Sequence, residues 1–141
     1  MSATQLAALA RTFDPHTALR RFLALDAAVT GVNGLAYLAA AGPLGRFLGA
    51  DSELLLVLGA FLTVYAAAVG LLAARSRPAA PLVRGVVEAN LAWAALSFAA
   101  LGLWLSPTTA GAVWTVLQAL TVGVFALLQH VALRRRQDSS E

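Results

Sequence analysis

The sequence predicts an all-α, polytopic membrane protein: a bundle of four transmembrane helices with both termini on the cytoplasmic side. Three observations predict it. Of 141 residues, 60% are hydrophobic and 12% charged, where soluble domains carry roughly 45–50% and about 25%. An aqueous fold has no means of hiding that much apolar surface. Four apolar stretches (23–41, 54–74, 86–105 and 110–133) each reach the length of about 20 residues that a helix needs to cross about 30 Å of hydrocarbon. Finally, nine of the ten arginines lie on one side of the resulting topology. Arg11, Arg20 and Arg21 precede the first span, Arg75, Arg77 and Arg84 flank the second connection, and Arg134, Arg135 and Arg136 follow the fourth span. Only Arg46 falls on the other side, so the positive-inside rule places the N-terminus, middle loop and C-terminus in the cytoplasm.

Each element has its own signal. Residues 1–22 form a cytoplasmic N-terminal segment in which Leu6, Leu9 and Phe13 share a helical face away from Arg11, the pattern of a helix lying flat at the interface. Asp14-Pro15 and Ser106-Pro107 read as N-cap plus first-turn proline pairs, so the first helix is expected to begin near Pro15 and run on into the membrane. All five prolines fall between or before the apolar stretches, as a residue without a backbone donor should. The first span carries Asp26 and Asn33 and is followed by three more, which marks it as a span rather than a cleaved leader. Trp104 and Trp114 flank the outer turn as interfacial anchors. Residues 134–141 are expected to form a basic, then disordered, cytoplasmic tail.

Composition excludes much chemistry. There is no cysteine, which removes disulfides, thiolate metal sites and dithiol redox reactions. The two histidines, His16 and His130, are not at metal-ligand spacing, and no HExxH, phosphate-loop or Gly-x-Ser-x-Gly pattern occurs. No catalytic residue, metal or cofactor is expected. The net charge of +3 sits at the ends of apolar runs and makes no nucleic-acid face. The absence of lysine and isoleucine beside abundant arginine and alanine is the bias of a GC-rich, bacterial coding sequence, which places the chain in a bacterial inner (plasma) membrane.

The candidate binding or transport residues are the polar ones inside the spans, because polar groups in hydrocarbon need partners. Asp26, Thr30, Asn33 and Tyr37 stand at i, i+4, i+7 and i+11 on one stripe of the first span, which must face the bundle interior. Glu88, Asn90, Gln118 and His130 join them as candidates from the other spans. Arg84 and Glu88 are spaced for an ion pair. Asn33, Asn90, Ser97, Gln118 and Thr121 have the alternative role of hydrogen-bonding between helices. Gly59, Thr63, Ala67 and Gly70 form a small-residue face suited to close helix packing. For Asp26, a cationic partner is available in Arg20, Arg21 or Arg84. A weak internal repeat would align Asp26 with Glu88 and the two Leu-Thr-Val triplets at 62–64 and 120–122.

The segment from Gly34 to Ala74, with Gly-Leu-Ala-Tyr-Leu, Pro43, the run Gly45-Arg46-Phe47-Leu48-Gly49 and an alanine- and glycine-rich span, resembles the DoxX-like four-helix membrane proteins. That resemblance implies a small bundle, in some members a subunit of a membrane oxidoreductase assembly. Three functions are thus in view. The foremost is a non-catalytic membrane subunit or homo-oligomer, with the bilayer and other membrane chains as partners. The second is a small-solute or proton-coupled permease using Asp26 and Asn33. The third is an enzyme subunit associated with a membrane oxidoreductase.

Overall fold

The computed structural model describes residues 2–12, 14–103 and 106–139, with side-chain surroundings from 2 to 7, 14 to 103 and 106 to 138. These residues form six helices: α1 (Ala3–Thr12), α2 (Pro15–Ala39), α3 (Ala41–Leu48), α4 (Ser52–Ala74), α5 (Ala80–Leu103) and α6 (Thr109–Ser139), with no strand among them. Four of them, α2, α4, α5 and α6, are long and apolar enough to cross a membrane. At 1.5 Å per residue the shortest, α4 with 23 residues, is about 34 Å long, enough for the hydrocarbon core.

Local chemistry explains most of the boundaries. At α1, Ser2 and Gln5 make a reciprocal capping box: Gln5 N donates to Ser2 Oγ at 3.2 Å and Ser2 N to Gln5 Oε1 at 2.9 Å. Pro15 opens α2 in its first turn after Asp14, whose carboxylate accepts from Thr17 Oγ1 rather than from a backbone amide. Asp51 caps α4 by accepting from Glu53 N at 3.0 Å. The N-cap of α6 is Thr108, not Ser106: Gly111 N donates to Thr108 Oγ1 at 3.1 Å. Other elements differ from the sequence expectation. The first connection is not a loop but the short helix α3, closed by Gly49 at φ 69°, a conformation that favours glycine. α5 starts at Ala80, six residues before the expected 86, because Pro81 in a first turn has no intrahelical partner to lose. The basic run Arg134–Arg136 is helical, and α6 continues to Ser139 in place of a disordered tail. Of the residues expected to form the interfacial N-terminal face, Leu6 is exposed, while the side chains of Leu9, Arg11 and Phe13, like Trp104, lie outside the described residues.

The bundle is inside-out relative to a soluble fold. Val32, Val64, Leu71 and Leu103 are 69–74% exposed, a surface suited to hydrocarbon and not to water. Interior positions recur with the helical period: Leu55, Gly59, Leu62, Ala66 and Val69 on α4 at steps of three and four, and Leu19, Leu23, Asp26, Gly34 and Tyr37 on α2 at the same steps but for one of eight, where half-buried Thr30 falls between, the seam of antiparallel bundles. α2 packs along α4, α5 along α6, and α2 against α6, while α4 and α5 barely touch. Two apolar clusters close the ends. Leu19, Leu23, Val69, Leu72, Val83 and Leu133 fill the basic end. Tyr37, Ala41, Leu55 and Leu62 fill the end covered by α3.

The α2–α4 crossing is set by glycine. A Cβ on Gly34 would meet Thr63 Oγ1 at 2.8 Å and Gly59 O at 3.0 Å, and one on Gly59 would meet Gly34 O at 2.9 Å. Gly70 approaches Ala27 more loosely, Ala66 takes the place expected for Ala67 against Gly31, and Ala67 itself is exposed. Backbone-to-backbone approach of this kind drives helix association where no hydrophobic effect operates between helices.

Candidate functional site

Between the two apolar clusters all four long helices contribute polar side chains to a shared network. Asp26 of α2, Tyr65 of α4, Asn90 of α5 and Gln129 of α6 meet there. Asp26 Oδ2 accepts from Asn90 Nδ2 and from Gln129 Nε2, each at 2.8 Å. The ring closes where Asn90 Nδ2 also donates to Gln129 Oε1 at 3.1 Å. Tyr65 OH donates to Asn90 Oδ1 at 3.0 Å, and Thr30 Oγ1 to Asp26 Oδ1 at 3.1 Å. Asp26 is 1% exposed, Asn90 3% and Gln129 0%. The carboxylate therefore takes three hydrogen bonds from hydroxyl and amide groups in a dry setting, where polar groups without partners are costly.

No cation pairs with Asp26 among the described residues. Arg20 turns instead to the end of α4, where its Nε donates to Ala73 O at 3.0 Å, and Arg21 and Arg84 are exposed. The Arg84–Glu88 pair does not form either; both side chains are exposed on the outward face of α5. At the basic end Arg136 Nη1 donates to Pro78 O at 2.6 Å, tying α6 to the α4–α5 connection.

Above the ring, toward α3, lies a cavity of about 770 Å³ lined from all four long helices, including Thr30, Asn33, Phe61, Tyr65, Asn90 and Trp93. It occupies the space where α4 and α5 fail to pack. Aromatic rings bridge that gap: Phe61 of α4 stacks on Trp93 of α5 with centroids 6.0 Å apart and planes at 6°, and on Tyr65 at 6.1 Å and 16°. A second chamber of about 310 Å³ adjoins it beneath α3 and shares Trp93, Trp114 and Gln118 with the first. Hydrogen-bonded pairs separate the two. Trp93 Nε1 donates to Gln118 Oε1 and Trp114 Nε1 to Tyr37 OH, at 2.8 and 2.7 Å, while Gln118 Nε2 donates to Ser97 Oγ and Thr115 O.

The eight candidate residues thus fall into four settings. Asp26, Thr30 and Asn90 come together in the ring. Tyr37 and Gln118 form the layer between the chambers, where Trp114, expected as an interfacial anchor, is partly exposed and donates a hydrogen bond to Tyr37. Asn33 lines the larger cavity and has no side-chain hydrogen bond among the described residues. Glu88 and His130 are exposed on the outside of the bundle and belong to neither cluster. Thr121 bonds its own helix at Leu117 O, as Thr63 bonds Gly59 O. The repeat is echoed by these two threonines but not by the carboxylates, since Asp26 is buried where Glu88 is exposed. Two members of the network, Tyr65 and Gln129, are not among the eight candidates. The sequence does place Gln129 toward the basic end of its helix, at the depth of Asp26, and that depth match is the signal the ring bears out. Tyr65 reads as core packing, and only the α4–α5 gap gives its hydroxyl a role.

Among the described residues no group of three or more histidine, aspartate or glutamate side chains is placed to hold a metal ion. Searches for related proteins return no matching family model, no matching curated protein and no matching solved structure.

Proposed function

We infer that the chain is a non-catalytic subunit of a membrane assembly, either with copies of itself or within a larger complex, seated N-in/C-in in a bacterial inner membrane. The observation that carries this reading is the state of Asp26. Its carboxylate is buried, does not line either chamber, and is occupied by one donor from its own helix and one each from α5 and α6. A group engaged on this scale ties helices together and does not itself contact a solute in either chamber. Support for a partner comes from Glu88, a carboxylate exposed on the outer face of α5 with no ion-pair partner among the described residues. Nearby Gly85 leaves the same surface open, since a Cβ added there would meet nothing within 4 Å. An exposed carboxylate within an apolar helix of this length is a place where a neighbouring chain can satisfy the charge. The DoxX-like resemblance of the first hairpin fits such a subunit role.

The test is particle mass in native membrane discs extracted without detergent. More than one copy, or a stoichiometric second protein, is expected. A monomer whose Asp26→Asn variant loses pH-dependent flux in proteoliposomes overturns the subunit reading in favour of the permease. One observation favours that second reading for a neutral solute: the two chambers adjoin and share a wall, one above the other along the bundle.

A further inference from the structure

We propose that the 770 Å³ cavity is a binding site for one lipid-soluble, neutral alcohol (an apolar body bearing a hydroxyl group) that enters sideways from the bilayer and is held at its hydroxyl by Asn33. The size falls in the range of small-molecule sites, roughly 300–1,000 Å³. Access is lateral: Val29, Val32, Phe61, Leu96 and Leu117 line the cavity and are also exposed on the outside of the bundle. On a helix bundle of this apolarity that outside is hydrocarbon, so the occupant is one that partitions into lipid.

The wall selects the headgroup. Among the described residues that line it there is no aspartate, glutamate, arginine or histidine, so an ionised headgroup would be buried without a counter-charge, at a cost of many kcal/mol. Most polar hydrogens facing the cavity are already committed. Thr30 gives its hydroxyl proton to Asp26 and Tyr65 gives its own to Asn90. Asn90 spends its amide hydrogens on Asp26 and Gln129, and Gln118 spends its own on Ser97 and Thr115 O. What remains is the amide of Asn33, with free donors and a free acceptor, together with the unused lone pairs of hydroxyl oxygens, those of Thr30, Tyr65 and Thr121. A hydroxyl accepts from the Asn33 Nδ2 and donates its proton to one of these oxygens. A ketone leaves the oxygens without a proton, and an alkane leaves all of them unserved.

The inference goes beyond the subunit reading and does not depend on it. Its test uses the full chain in phosphatidylcholine nanodiscs, in a Trp104→Phe background, so that the remaining indoles, Trp93 and Trp114, are the two that line the cavity. A medium-chain alcohol brominated at its far end is titrated against tryptophan fluorescence, beside the matching bromoalkane, bromoketone and bromocarboxylate at equal membrane concentration. Saturable quenching by the alcohol is expected, with the alkane about tenfold weaker, the difference that a hydrogen-bonded hydroxyl supplies. Asn33→Leu, or Asn33→Ala should the former not fold, brings the alcohol down to the alkane's curve. Equal quenching by alcohol and alkane in the unsubstituted cavity overturns the proposal and leaves the space to lipid chains. Stronger quenching by the carboxylate overturns it as well. The headgroup comparison requires no variant at Asn33.

Discussion

Gln129 Nε2 donates to Asp26 Oδ2 at 2.8 Å across 103 positions of sequence, joining the first long helix to the last at the centre of the bundle. Asn90 donates to the same oxygen, so a single carboxylate oxygen holds α5 and α6 to α2. Asp26→Leu is therefore expected to lower stability in detergent by about 1–3 kcal/mol, because it strands two buried amides. Asp26→Asn should retain most of the stability: its oxygen can take both donors, while its amide faces Thr30 Oγ1 as a donor. Thermal unfolding followed by circular dichroism checks both, and equal losses for Asn and Leu would show that the ring is not what holds the helices.

The glycine crossing makes a sharper demand on volume. Gly34→Ala and Gly59→Ala each place a carbon within 3.0 Å of backbone or Thr63 atoms of the facing helix and are expected to cost about 1–3 kcal/mol by overpacking. Gly123→Ala is the control. Nothing lies within 4 Å of its added carbon, so only helix propensity acts, and the change should be neutral or stabilising by up to about 1 kcal/mol. The comparison is read as the order of melting temperatures.

At the α3 end, Thr108 Oγ1 donates to Phe47 O at 2.7 Å while accepting from Gly111 N, and a side chain at Gly111 would collide with Leu48 O. Thr108→Ala is predicted to destabilise by about 1 kcal/mol, the usual worth of an N-cap, and Gly111→Ala by more, since α3 must move away from α6. Hydrogen exchange of the 41–49 backbone reports the release, and unchanged protection there would contradict it.

At the basic end, Arg136→Met removes the donor to Pro78 O and is expected to loosen the 75–79 connection. Trypsin cleavage after Arg75, which is exposed, should then accelerate in open membrane sheets. Arg136→Lys should restore part of the protection. No change in cleavage with Met would mean that the connection is held by its other contacts.

Orientation is checked by reporter fusions. Those at Gly49 and Pro107 should read extracytoplasmic, and those at Ser76 and the C-terminus cytoplasmic. A cytoplasmic signal at Pro107 would be incompatible with four spans.

Four helices long and apolar enough to cross a membrane, their order and the inward direction of the Asp26–Tyr37 stripe were legible in the sequence by itself, because each follows from composition and helical period within one segment. Pro15 likewise marked the start of α2, since proline acts on its own backbone. What the tertiary structure decided are the matters that depend on two segments at once. Whether Asp26 met an arginine or an amide was a question of which helix lay opposite. Arg20 had a nearer carbonyl at the end of α4, and Asn90 and Gln129 arrived at the depth of Asp26. The Arg84–Glu88 spacing permitted a pair, but i,i+4 geometry alone is worth only a few tenths of a kcal/mol and does not fix two exposed side chains. α3 was hidden for a similar reason: a short helix holding proline and glycine is weak alone, and Thr108 supplies its end from another part of the chain. The cavity was the least legible of all, because it exists where α4 and α5 do not pack, and no segment carries the mark of a contact that its neighbour leaves unmade.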